Sequence, residues 1–169
     1  MKLLIVVDMQ NDFIDGALGT PEAIKIVDNV KAKIQQYASE DDTLIVFTRD
    51  SHDSNYLETH EGKLLPIEHC IVGTHGWKIA AGLEVPNCGY VNKTTFGWLH
   101  WSSFSSADKI EIIGLCTDIC VVSNALILRA KYPESDITVD ASCCAGSAPE
   151  KHKAALEVMK SCHINVINE

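Results

Sequence analysis

The chain has 169 residues and a formal net charge of −9, with 46% hydrophobic and 22% charged residues. That length is enough for one domain with a real core, and the composition is that of an ordinary soluble globular protein. The acidic balance, with no Lys/Arg-rich run, repels phosphate backbones and anionic lipid surfaces, so nucleic acid and membrane are excluded as expected partners.

Met1-Lys2 is followed by an apolar run, Leu3 to Val7, that Asp8 breaks at once. The run is too short for a signal-peptide core and no stretch approaches a membrane span, so a reducing, cytoplasmic setting is expected. Cysteines occur at Cys70, Cys88, Cys116, Cys120, Cys143, Cys144 and Cys162. An odd count without an export signal argues against a disulfide framework, and most of these thiols are expected to pack as small hydrophobes.

Leu3 to Val7 reads as a buried strand. Pro21 suits the first turn of a helix capped by Thr20, with Ile24, Val27, Val30, Ile34 and Tyr37 recurring at helical spacing. Leu44 to Thr48 is a second strand. Residues 50–80, rich in His, Gly, Asp and Glu without periodicity, read as a long functional loop. A short strand, Tyr90 to Asn92, precedes Lys93, and an aromatic-rich segment runs from Trp98 to Phe104. Ile110 to Leu115 is a strand, and Ile119 to Ala130, apolar nearly all round, is a helix buried against a sheet. Ile137 to Val139 is a further strand. Ser147 and Glu150 fit a capping box for a helix carrying Ala155, Leu156 and Met159, and Ile164 to Ile167 closes the chain as a strand. There is no repeat or linker, so residues 1–169 read as one domain.

Continuous apolar strands alternating with helices imply an α/β fold, a Rossmann-like parallel sheet covered by helices on both faces. Ligands in such sheets bind beyond the carboxyl ends of the strands. The polar residues expected there are Asp8, then Arg49, Asp50 and His52, then Lys93, then Cys116 to Cys120, and Asp140.

Cys120 lies in Gly114-Leu115-Cys116-Thr117-Asp118-Ile119-Cys120, between a strand and the buried helix. With Thr117 as N-cap, Cys120 falls in the first turn, where free N–H groups and the helix dipole favour a thiolate and could hold an oxyanion. A simple core cysteine has the same pattern. Asp8 at a strand end is compatible with a structural ion pair as well as a base, and Lys93 with an exposed strand-end lysine. Together, thiol, base and cation make a working nucleophile. A second constellation, Asp50, His52, Glu61 and His69, offers carboxylate and imidazole ligands suited to Zn, Mn or Fe, with His60, Glu68 and His75 as competitors by type. Phe13, Trp77, Trp98 and Trp101 could wall an aromatic pocket or simply pack. For the vicinal pair Cys143-Cys144, packing in a post-strand loop is favoured over a redox role.

In three segments the sequence resembles the isochorismatase-like cysteine hydrolases: Leu3 to Phe13, Gly114 to Cys120, and Asp140-Ala141-Ser142-Cys143-Cys144-Ala145. Thr48-Arg49-Asp50-Ser51-His52 with His69-Cys70 and Gly73-Thr74 resembles the nicotinamidase/pyrazinamidase branch. That resemblance implies a catalytic trio of Asp8, Lys93 and Cys120 and a cis bond between Leu115 and Cys116. It implies an oxyanion hole from the N–H groups of Cys116 and Cys120, and a divalent metal, zinc first, on Asp50, His52 and His69 with Glu61. Of the aromatic set, Phe13 and Trp77 are the expected substrate contacts. The resemblance further implies deamidation of nicotinamide through a Cys120 thioester, an activity of NAD salvage. Thr94-Thr95-Phe96-Gly97 departs from the Ser-Ala-Phe-like stretch usual after the lysine, and the segment from Lys93 to the next strand is short; both touch the pocket rim. The partner implied is a small-molecule amide, and the sequence leaves a homo-oligomer open. Two rivals stand beside this reading. One is a metal-free hydrolase of the same superfamily acting on another amide, carbamoyl or vinyl-ether substrate. The other is a non-catalytic metal- or redox-responsive protein using Cys143-Cys144 or the histidine loop.

Overall fold

The apolar run at the N-terminus forms the centre of the molecule. In a computed structural model that describes residues 1–104 and 107–169, strand β1 (Lys2–Val7) lies between β2 (Thr43–Asp50) and β4 (Lys109–Leu115). Leu3, Leu4, Ile5, Val6 and Val7 are all fully buried. Their side chains alternate between two cores. Leu3, Ile5 and Val7 join Trp101, Ala125, Leu128, Leu156 and Met159, whereas Leu4 and Val6 join Ile26, Val30, Ile34 and Phe47. A strand buried on both faces has no polar side, which is why its sequence reads as a continuous run rather than an alternation.

The sheet has six strands in the order β3-β2-β1-β4-β5-β6, every pair parallel, with β3 at Gly89–Lys93, β5 at Asp136–Ala145 and β6 at Asn165–Ile167. Short α1 (Asn11–Ile14) follows β1, and α2 (Pro21–Ala38) covers one face. On α2 Thr20 caps the first turn by accepting the Ala23 N–H at 3.0 Å. The buried stripe is Ala23, Ile26, Val30, Ile34 and Tyr37, while Ile24 is exposed, so the stripe sits one residue away from the expected start. Helices α4 (Val122–Lys131) and α5 (Pro149–Ser161) contribute Ala125, Leu128, Leu156 and Met159 to the core on the other face. No helix among the described residues is long and apolar enough to cross a membrane.

Five local expectations are corrected. The loop over residues 50–80 contains a 3₁₀ turn (Tyr56–Glu58) and a short helix α3 (His60–Leu64), capped by Thr59 accepting from Gly62 N–H at 3.0 Å. The α5 capping box does not form: Ala148 is the N-cap, and Ser147 bonds Asp118 through its N–H (2.7 Å) and hydroxyl (2.6 Å). β5 does not end at Val139 but bulges between its pairings to Ile112 and Gly114 and continues to Ala145. Asp140 and Cys143-Cys144 are therefore within the strand. Asp140 pairs with Lys33 of α2 at 2.9 Å, a structural ion pair shared with Glu111 at 2.7 Å, and both cysteines are buried.

Gly114 stands beside that bulge at φ +119, and a Cβ there would overlap the Val7 main chain. Gly114→Ala is expected to cost about 3 kcal/mol or more, combining backbone strain with overpacking. Denaturant melts should show a lower midpoint at unchanged slope.

Candidate active site

Because the strand order reverses between β1 and β4, a crevice opens at their carboxyl ends, the place where open parallel sheets bind ligands. Asp8 follows β1, Lys93 ends β3, Asp50 ends β2, and the turn after β4 carries Cys116 to Cys120. Asp8, Lys93 and Cys120 are each nearly or wholly buried. Lys93 Nζ lies 2.6 Å from Asp8 Oδ2, 3.5 Å from Cys120 Sγ and 3.7 Å from Asp50 Oδ1.

Asp8 has a left-handed backbone, φ +47, which an aspartate tolerates better than most residues. Thr48 of β2 fixes it twice: the hydroxyl donates to Asp8 Oδ1 at 2.6 Å, and Asp8 N–H donates to Thr48 Oγ1 at 3.2 Å. Burial pushes the Asp8 carboxyl up, and the Lys93 ammonium opposes that. Burial also works against the Lys93 ammonium, but Asp8, Cys120 and Asp50 outweigh it and hold Lys93 above the usual lysine range.

The turn that carries Cys120 differs from the expected one. Thr117–Val121 is a π-helical turn with extended Cys116 as N-cap, and Val121 N–H donates to Cys116 O at 3.1 Å. Thr117 does not cap it; its hydroxyl is 2.8 Å from His152 Nδ1 on α5. Nor is Cys120 a lowered-pKa thiol: burial first, then the Asp8 charge, pushes it well above the ordinary value, with Lys93 opposing. Cys116 is pushed up to about 12, mainly by burial. The Leu115–Cys116 peptide is cis, and both Cys116 and Cys120 line the cavity.

The second constellation also converges. One ligand atom from each of Asp50, His52, Glu61 and His69 lies within 4.8 Å of the others. Asp50 Oδ2 is 3.0 Å from His52 Nε2 and 3.5 Å from His69 Nε2, and Glu61 Oε1 is 3.8 Å from each of the same nitrogens. His69 Nδ1 lies 2.8 Å from Ile67 O. Donating that N–H leaves the Nε2 lone pair facing the cluster, the arrangement a metal-ligating imidazole adopts. Burial and the Asp50 charge push Glu61 up, while His52, His69 and Lys93 hold Asp50 well below the usual carboxylate range despite its burial. Two carboxylates and two imidazoles with one open side suit a zinc-class divalent cation.

Gln10, within the opening motif but not singled out by sequence, locks Asp50 in place. It donates to Asp50 O (2.9 Å) and Trp77 O (2.8 Å) and accepts from Asp50 N–H (2.7 Å). Cys70, at φ +49, holds the loop behind His69: its N–H donates to Asp12 Oδ2 at 2.7 Å and its carbonyl accepts from His52 N–H at 3.0 Å.

Cys120 and the ligand cluster share one cavity of about 750 Å³, walled by Phe13, Leu18, Leu64, Leu65, Phe96 and Ile119, with Thr94 and Thr95 at its edge. Phe13 packs 5.6 Å from the His69 ring. Trp77 does not line this cavity. Its Nε1–H donates to Ser51 Oγ at 2.8 Å and its ring stacks under the Arg49 guanidinium at 4.3 Å, so it lies behind Ser51, which does line the cavity. Arg49 is likewise committed, to Trp77, Tyr90 and Asn92. Trp98 and Trp101 pack edge-to-face at 4.8 Å against the core, and His60 reaches the cavity without joining the ligand cluster.

The isochorismatase domain family matches residues 2–168. A nicotinamidase from Saccharomyces cerevisiae is 24% identical over 218 aligned positions, covering 100% of both chains. The crystal structure of the pyrazinamidase of Pyrococcus horikoshii in complex with zinc is 29% identical, with a TM-score of 0.84 and 99% coverage of each chain. The nicotinamidase PncA from Bacillus subtilis shows the same identity, coverage and TM-score.

Lys93→Met is expected to orphan the buried charge of Asp8, while Asp50 keeps His52 and His69, and to lower stability by about 3–5 kcal/mol. Adding Asp8→Asn removes that orphan, so the double variant should be more stable than Lys93→Met alone. A double-mutant cycle by denaturant unfolding reads the coupling, and a double variant no more stable than Lys93→Met would contradict it.

Proposed function

We propose that the chain, which belongs to the isochorismatase domain family, is a metal-dependent amidohydrolase that converts nicotinamide to nicotinate and ammonia through a thioester on Cys120. It is a nicotinamidase-like enzyme by its relatives. The observation that carries the reading is that one buried ammonium, Lys93, touches Asp8, Cys120 and Asp50, so the nucleophile and the ligand cluster face one cavity.

At rest the trio is neutral overall: Asp8 carboxylate, Lys93 ammonium and Cys120 thiol. Asp8 takes the thiol proton as Sγ attacks the carboxamide carbon. The negative charge thereby moves from Asp8 toward sulfur, and Lys93, 2.6 Å from one and 3.5 Å from the other, remains beside it. The N–H groups of Cys116 and Cys120 receive the oxyanion. Asp8 then gives its proton to the departing ammonia, leaving a thioester; it next deprotonates the water that releases the acid and passes that proton to the leaving Cys120 sulfur, which restores the carboxylate and the thiol. Asp50, His52, Glu61 and His69 would hold a divalent cation, zinc first, with manganese and iron compatible. When bound, the cation supplies an electrophilic anchor for the ring nitrogen of the substrate. Phe13 stacks along the ring. The nicotinate formed would enter NAD salvage in the cytoplasm.

Purified, zinc-loaded protein is expected to release ammonia from nicotinamide, and Cys120→Ala to abolish release while keeping a native melt. Prior chelation should abolish it too; chelator-insensitive turnover would instead favour the metal-free reading. Thr48→Val removes the hydroxyl that stabilises the Asp8 carboxylate, so the Asp8 pKa rises. The acidic limb of the kcat/KM profile should therefore move to higher pH, and an unmoved limb would count against Asp8 as the base.

A further inference from the structure

Asn124 is the fully buried polar side chain of α4 among the described residues. It lies one helical turn beyond the nucleophile, and all its hydrogen-bonding capacity is used. Nδ2 donates to Cys120 O at 2.8 Å and to Phe96 O at 3.3 Å. Oδ1 accepts the Trp98 N–H at 3.0 Å and the Trp101 Nε1–H at 3.2 Å. One amide thus joins the carbonyl of the nucleophile to the segment after Lys93 that walls the cavity with Phe96.

The packing around this amide makes the same connection. A Cβ at Gly97 would come within 2.5 Å of Ile127 Cδ1 and 3.2 Å of Ser123 Cβ, so the wall segment lies with its main chain directly on α4. Farther along, Tyr132 at the end of α4 donates its hydroxyl to Trp101 O at 2.6 Å. A segment with little regular structure therefore takes its shape from α4, the helix that directly continues the Cys120 turn. At the joint is a group whose loss would remove four hydrogen bonds at once, two of them, to the Cys120 carbonyl and the Trp101 indole, in the buried interior.

We infer that Asn124 is a positioning residue that couples the nucleophile turn to the substrate-facing wall. Cys120 Sγ and the Phe96 wall keep one mutual register because both hang from the same amide. A shift of the wall to fit a substrate is then felt at the nucleophile, and the reverse. The inference rests on the proposed role of Cys120, but the coupling can be read without turnover.

The test compares zinc-loaded wild type with Asn124→Ala and Asn124→Asp. The aspartate keeps the acceptor for Trp98 and Trp101 but offers no donor to the Cys120 and Phe96 carbonyls. Both variants are expected to raise KM for nicotinamide at least fivefold and lower kcat at least tenfold. Both should also change the rate of Cys120 alkylation by iodoacetamide at least threefold, followed by mass spectrometry. A purely structural residue would lower the folded fraction and leave KM and alkylation per folded molecule unchanged, and that result overturns the inference. Should neither variant fold, hydrogen exchange in the unsubstituted protein decides. Alkylating Cys120 is expected to change exchange at the Trp98 amide at least threefold, and unchanged exchange overturns the coupling. Alkylation and exchange need no hydrolysis, so absence of ammonia release would sink the proposed reaction while leaving this test standing.

Discussion

A lysine ammonium with no access to solvent is the constraint around which this molecule is organised. A buried cation is tolerable only where anions or their equivalents surround it. Lys93 has Asp8, Asp50 and the Cys120 sulfur within 3.7 Å. These partners come from the ends of separate strands, so the charge balance can be met only when β3, β2, β1 and β4 are in register. The parallel order and the crevice at its reversal are thus tied to the charge arrangement. Misplacing one strand end would strand a charge in the interior.

The same constraint explains why the two constellations are neighbours. Asp50 uses one oxygen toward Lys93 and the other toward His52 and His69. Gln10 fixes that carboxylate by bonding its main chain on both sides, as a neighbouring strand would. The ligand cluster is consequently referred to the nucleophile through one short, doubly anchored residue rather than through the long loop that supplies Glu61 and His69. In the proposed reaction that matters, because ring placement and carbonyl attack must agree to a fraction of an ångström.

What was legible in the sequence follows from which interactions are local. The continuous run Leu3 to Val7 announced a strand buried on both faces, and polar residues after successive runs announced one functional edge. Spacing could not distinguish Asp140 from that edge, because the bulge that carries β5 onward is set by its pairing with Gly114. Trp77 has the composition of a pocket wall, yet its direction is decided by Ser51 and Arg49, distant in sequence. Thr117 and Ser147 have the local pattern of caps, but His152 and Asp118 claim them across tertiary contacts. The one available signal for Asn124 was a polar residue inside a stretch otherwise suited to burial.

The thiol reverses the local argument in an instructive way. A first-turn cysteine near helix N–H groups is expected to ionise easily. Here burial and the adjacent Asp8 charge drive the equilibrium the other way. Lys93 already faces two carboxylates, Asp8 and Asp50. A preformed thiolate beside an ionised Asp8 would add a third negative charge to one ammonium, whereas a neutral thiol adds none. In the proposed reaction the proton passes to Asp8 during attack rather than before it, so the count does not rise. Lys93 then stays beside whichever of Asp8 and the sulfur carries the charge, and no charged side chain has to move. In that reading the closeness of base and sulfur supplies the reactivity, so the backing of the Cys120 turn by α4 and α5 belongs to the proposed chemistry as well as to the fold.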